Sequence, residues 1–143
     1  MKISTKGRYA VDVLLYMAAD NSGEYITLKS IAESQSLSWK YLEHIVSVLN
    51  KAGFVKSSRG SQGGYKLARQ PEEYTLGMIL RLMEGSLSPV NCLESENDCP
   101  NQNQCVTMRA WKQLADAIDD VVDGITLADL VKWQLQSEKL VVN

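Results

Sequence analysis

The sequence predicts a mainly α-helical chain carrying one short β-hairpin, and three observations carry the prediction. Apolar residues recur at helical spacing through much of the 143-residue chain. A short helical pattern, a turn and a longer helical pattern run in succession from Thr27 to Ala52. Two β-type runs, Phe54–Ser58 and Tyr65–Ala68, then flank Arg59-Gly60-Ser61-Gln62-Gly63-Gly64. Helix, turn, helix and glycine-tipped hairpin in that order make a winged helix-turn-helix, an arrangement that mainly reads duplex DNA.

Each element has a local cause. Tyr9, Val13, Tyr16 and Met17 share a helical face, which predicts a first helix over residues 6–20, ended by Asn21-Ser22-Gly23. Thr27 is a good N-cap for a second helix over 27–34, and residues 35–37 form the turn. Ser38 opens the third helix, Trp39 to Ala52, with Gly53 as its stop. Its buried stripe is expected to be Tyr41, Leu42, Ile45, Val48 and Leu49, which leaves Lys40, Glu43, His44 and Ser47 on other faces. Residues 71–74, Pro-Glu-Glu-Tyr, read as a linker; Thr75 then caps a fourth helix, Leu76 to Glu84, ending at Gly85. Residues 86–106 lack periodicity and hold Pro89, Pro100 and all three cysteines, and aperiodic loops of that length are usually functional or disordered. Trp111, Leu114, Ala115, Ile118, Val121 and Val122 mark a long amphipathic helix over about 107–123, ended by Gly124. Thr126 and Asp129 resemble a capping box for a last helix through about Gln136, with the tail Ser137–Asn143 frayed or docked on a partner.

The expected organisation is a winged helix-turn-helix domain over residues 1–74, followed by a cysteine loop and dimerisation helices over 75–143. A winged helix is already a complete small core, so a further apolar helix beyond a loop suits a homodimer interface, with packing on its own domain as the alternative. DNA readers of this kind usually act as symmetric dimers on palindromic half-sites.

Hydrophobic content of 45% permits a real core, and no apolar run approaches the roughly 20 residues of a membrane span. The first residues lack an apolar signal stretch, so a cytoplasmic location is expected. The net charge of −2 conceals a division between halves. Residues 1–70 carry a net +5 and residues 71–143 a net −7, so the positive charge lies in the half with the helix-turn-helix.

Candidate DNA contacts are Ser38, Lys40, Tyr41, Glu43 and His44 in the first two turns of the third helix, the part that normally reaches base edges. Lys40 suits phosphate or guanine, and Ser38 and Tyr41 suit phosphate. Glu43 suits cytosine N4 or the rejection of wrong sequences. Arg59, with Gly60, Ser61 and Gln62 at the hairpin tip, suits the narrow, electronegative minor groove. The competing reading of each is a solvated charged surface.

Cys92, Cys99 and Cys105 are separated by six and five residues, without the two-residue gap of a zinc ribbon. An odd, clustered set without an export signal is a poor disulfide framework and a better metal or cluster site, with a fourth ligand from elsewhere. His44, the single histidine, stands in the DNA-reading helix and is a poor fourth ligand. No hydrolase or transferase constellation is present, so an enzyme is not expected.

Residues 1–11 (Met-Lys-Ile-Ser-Thr-Lys-Gly-Arg-Tyr-Ala-Val), 38–43 (Ser-Trp-Lys-Tyr-Leu-Glu) and 59–65 (Arg-Gly-Ser-Gln-Gly-Gly-Tyr) are one part of a wider match. With the cysteine triplet and 125–130 (Ile-Thr-Leu-Ala-Asp-Leu), the chain closely resembles the IscR-like iron–sulfur cluster regulators. Their wider family includes the nitric-oxide sensor NsrR and the cysteine-metabolism repressor CymR. The resemblance implies a homodimeric transcription factor with an iron–sulfur cluster on Cys92, Cys99 and Cys105, its state deciding which operators are bound. It also implies that Glu43 discriminates between operator types and that Arg59 enters the minor groove. One position departs from the pattern: the cluster-biogenesis regulators have a histidine three residues after the third cysteine, where this chain has Met108. Other family members take a ligand from the first helix of the partner subunit, a part that Asp12 would play here. The Met108 thioether, a loop carboxylate and a solvent oxygen are the rivals. A 2Fe-2S cluster is preferred to 4Fe-4S.

The leading expectation is therefore a DNA-binding repressor or dual regulator, controlled by an iron–sulfur cluster and acting on cluster biogenesis. A nitric-oxide or redox sensor using the same cluster, a zinc-stabilised winged-helix dimer, and a cluster-dependent redox enzyme are the alternatives.

Overall fold

The computed structural model describes residues 2–20, 22–94 and 101–142. Helix α1 spans Thr5–Ala19, α2 Leu28–Gln35, α3 Trp39–Lys51, α4 Leu76–Glu84, α5 Val106–Gly124 and α6 Leu127–Val142. Strands β1 (Val55–Ser58) and β2 (Gly64–Leu67) form one antiparallel hairpin in which Ser58 faces Gly64. The fold is mainly helical with a two-stranded wing, as the sequence predicts.

Side-chain oxygens start the helices where the sequence places caps. Ser4, Thr27, Ser38 and Thr75 each accept a hydrogen bond from the backbone N–H three residues on, satisfying one of the donors a helix start leaves free. At α6 the reciprocal box forms: Asp129 accepts from the Thr126 N–H at 2.9 Å and Thr126 Oγ1 from the Asp129 N–H at 3.1 Å. Two predictions are corrected. The last helix continues to Val142 rather than ending near Gln136. Residues Pro71–Glu73 are a 3₁₀ turn, not a bare linker, and Tyr74 behind them is wholly buried.

The main core gathers Val13 and Leu14 of α1, Ile31 of α2 and Leu42, Ile45, Val46 and Leu49 of α3 with Phe54, Tyr74, Ile79, Met83 and Leu127. Tyr41 and Val48, expected in the buried stripe, are only partly covered, and Val46 is buried in addition. Truncating a fully buried leucine such as Leu42 to alanine costs about 2–5 kcal/mol. A satellite cluster of Leu80, Leu87 and Val122 joins α4 to α5. Arg81 of α4 clamps the same pair of helices, donating to both Asp123 oxygens at 2.6 and 3.0 Å and to Asp119 at 2.7 Å. That fork holds the Asp123 carboxyl below the usual carboxylate range. Backbone hydrogen bonds from Leu76 N–H to Ile125 O (2.8 Å) and from Leu127 N–H to Tyr74 O (2.9 Å) pin the starts of α4 and α6 together.

Candidate DNA-reading face and cysteine loop

Burial of Leu42, Ile45, Val46 and Leu49 decides which way α3 faces. The four lie on one side, so Lys40, Glu43, His44 and Ser47 are driven to the exposed side. Ser38 is the N-cap, its hydroxyl accepting from the Tyr41 N–H at 3.3 Å. Tyr41 turns partly inward and meets Tyr9 edge to face, with ring centroids 5.8 Å apart. It is the one predicted contact on α3 whose ring is partly spent on packing.

A feature that the sequence reading missed stands in the first turn. The Trp39 indole N–H donates to Glu43 Oε1 at 2.9 Å, and Trp39 remains 50% exposed. The signal was present as an i, i+4 pairing of a donor with a carboxylate.

The wing is held from two sides. Ile26, just before α2, exchanges two backbone hydrogen bonds of 2.8 Å with Tyr65 on β2. Gly64 permits this approach: a Cβ there would strike the Ile26 carbonyl, and its φ of +150° lies in a region other residues rarely adopt. On the other side the Tyr74 hydroxyl donates to Phe54 O at 2.5 Å and accepts from the N–H groups of Ala68 and Arg69, both at 3.1 Å. Arg59, Gly60, Ser61 and Gln62 are all exposed at the tip, and Gly60 makes the turn at φ +105°. The structure thus brings the exposed α3 residues and the wing tip onto elements fixed to one core.

Cys92 lies in the 3₁₀ turn Asn91–Leu93 after α4, and Cys105 immediately precedes α5. Both are free, half-buried thiols. Cys99 falls outside the described residues. The Thr107 hydroxyl, 3.3 Å from Cys105 Sγ, and the Met108 backbone N–H lower the Cys105 pKa and favour the thiolate. Met108 follows on the first turn of α5, half-buried. Asp12 is on α1, exposed but close enough to packed atoms that desolvation raises its carboxyl pKa, with Arg8 opposing. Among the described residues, no group of three or more His, Cys, Asp or Glu side chains is gathered to hold a metal ion. No helix among the described residues is long and apolar enough to cross a membrane.

The pattern of Rrf2, described as an iron-dependent transcriptional regulator, matches residues 3–133. The chain belongs to the Rrf2 family. Among its Rrf2 relatives, the HTH-type transcriptional regulator CymR of Bacillus subtilis (strain 168) is 42% identical over 133 residues, 93% of this chain and 91% of CymR. The solved structure of that CymR, described as the global cysteine regulator of B. subtilis, superposes with a TM-score of 0.77 at 41% identity, covering 93% of this chain and 98% of that one. The structure of T. potens IscR gives 0.73 at 42% identity, covering 92% and 87%. As an Rrf2 protein the chain is a DNA-binding transcriptional regulator with a winged-helix fold. Its relatives are named as regulators and not as enzymes, in agreement with the sequence.

Proposed function

We propose that this Rrf2 protein is a homodimeric repressor or dual regulator whose operator binding is controlled by an iron–sulfur cluster on Cys92, Cys99 and Cys105. The observation that carries the reading is the placement of Cys92 and Cys105. Two free thiols stand at the ends of the segment holding Cys99, one of them biased toward thiolate at the start of α5. Soft thiolates are the donors iron–sulfur clusters take, so the side chains present fit the group. Asp12 of the partner subunit is the preferred fourth ligand, with Met108 as its rival. A cluster so held supplies a redox- and ligand-sensitive centre. The protein's own part is to anchor it between the end of α4 and the start of α5, two helices already clamped by Arg81. Asp119 and Asp123 lie on α5 and the reading residues on α3; α5 packs on α4, α4 on α1 and α1 on α3. Genes of cluster biogenesis are the proposed targets, with nitric oxide or a redox change as the alternative signal.

A cluster-free regulator of cysteine metabolism is the second reading, favoured by the 42% identity to CymR. One measurement separates the two. Protein purified anaerobically should be brown, with sulfide-to-iron absorption and matching iron and acid-labile sulfide, and Cys92→Ala, Cys99→Ala and Cys105→Ala should each lose the colour while keeping helical content. A colourless wild-type protein with no bound iron after reconstitution would favour the CymR-like reading.

A further inference from the structure

We propose that Trp39 is a positioning residue for base selection: its indole N–H holds the Glu43 carboxylate in one orientation, so that the recognition helix accepts a base-edge donor and rejects a base edge that presents acceptors alone. The proposal rests on the reading of α3 as the helix that enters the DNA groove.

Nothing in the core accounts for Trp39. The buried stripe of α3 is Leu42, Ile45, Val46 and Leu49, and Trp39 is half exposed in the first turn, on the side that carries Lys40 and Glu43. Glu43 takes no part in the salt bridges among the described residues, which belong to Arg81. What holds its carboxylate is the neutral indole N–H at 2.9 Å. A neutral donor leaves the full negative charge in place. It also restrains a side chain that otherwise samples many rotamers, which costs entropy whenever such a chain is fixed on binding.

The two effects together decide selectivity. A mobile glutamate opposite guanine, which offers the N7 and O6 acceptors, can swing away and relieve the repulsion. A glutamate tethered through Oε1 cannot, while its Oε2 stays free to accept from cytosine N4 or adenine N6. Trp39 therefore sets how strictly Glu43 discriminates, without itself supplying the contact. Phenylalanine keeps an aromatic ring at that position and removes the donor, so the function of the N–H is separable from that of the ring.

The experiment starts from a pool of duplexes randomised over about two helical turns, from which the wild-type protein selects its site. Fluorescence anisotropy at fixed salt then gives affinities for every single-base variant of that site. Trp39→Phe should keep the melting temperature and should reduce discrimination at the Glu43-dependent positions on the order of fivefold, through tighter binding of the rejected bases, weaker binding of the selected one, or both. On a Glu43→Ala background, Trp39→Phe should add nothing. In the free protein, the indole N–H resonance absent from the Trp39→Phe spectrum identifies Trp39, and Glu43→Ala should shift it. The proposal is overturned if that resonance stays in place, or if Trp39→Phe changes discrimination equally with and without Glu43. It is overturned alone if Glu43→Ala flattens discrimination and Trp39→Phe does not. Unchanged discrimination in Glu43→Ala itself would sink the base-selecting reading of α3, and the proposal with it.

Discussion

A carboxylate in a groove walled by phosphates is repelled at every sequence, so on the proposed reading Glu43 acts through selectivity, accepting from some base edges and penalising others. Arg59 has the opposite character. It is exposed at the tip of a hairpin whose turn is made by Gly60, and on the proposed reading its charge would meet backbone and minor groove whatever bases are present. Arg59→Ala is therefore expected to weaken all duplexes to a similar extent and to reduce the slope of log affinity against log salt by about 1. Titration of a matched and a mismatched duplex over a salt series checks this, and a loss confined to the matched duplex would instead make Arg59 a base reader. The exposed place of Arg59 at a glycine-turned tip is legible from residue types, an arginine beside glycines between two β-type runs. The Trp39–Glu43 hydrogen bond is not, because spacing shows that two side chains can meet and the rotamers decide whether they do.

The wing acts as one piece with the helices because of Tyr74. Its hydroxyl donates to the Phe54 carbonyl and accepts from the Ala68 and Arg69 N–H groups, reinforcing the end of the hairpin where Ala68 N–H also donates to Phe54 O at 3.2 Å, and its ring lies edge-on to Phe54 with centroids 5.8 Å apart. Tyr74→Phe keeps the ring and removes the collecting oxygen, leaving polar backbone groups under-satisfied at a part-buried site. A loss of about 1–3 kcal/mol in unfolding free energy is expected, measured by urea denaturation. An unchanged midpoint would mean that water replaces the hydroxyl. Sequence reasoning took residues 71–74 as a linker because proline and two glutamates dominate the local composition, and the burial of Tyr74 depends on contacts 20 residues distant. The helix ends show the same division. Gly85 and Gly124 are local stop signals and were read correctly to within a residue. The end of α6 was placed at Gln136 because apolar periodicity fades there. No glycine or proline follows, however, and Ser137–Val142 keep the helix going.

At the scale of the whole molecule, α5 and α6 leave large apolar side chains exposed. On α5, Trp111, Leu114 and Val121 are 38%, 45% and 59% exposed, and on α6 Trp133, Leu135 and Leu140 are exposed as well. Ile118 and Val122, which share the same apolar arc of α5, are packed against α4, so the exposed residues continue that arc beyond the contact. The sequence periodicity identifies one amphipathic helix, but it does not divide its apolar arc between the part packed in the same chain and the part left over. We propose that the exposed stripe of α5 is where two copies associate, a symmetric pair bringing two α3 helices to half-sites about one helical turn apart. Leu114→Asp combined with Val121→Asp places two charges on the exposed stripe and leaves Ile118 and Val122 in place. Sedimentation should then show monomers with the circular dichroism of a folded helical protein. Because two linked half-sites bind far more tightly than either alone, affinity for a palindromic site should fall on the order of 100-fold. Affinity for an isolated half-site should hardly change, since α3 and the wing are untouched. A variant that remains dimeric would place the interface elsewhere, with the exposed half of α6 as the next surface to alter. A monomer that binds the palindrome as tightly as the wild type would remove dimerisation from the mechanism.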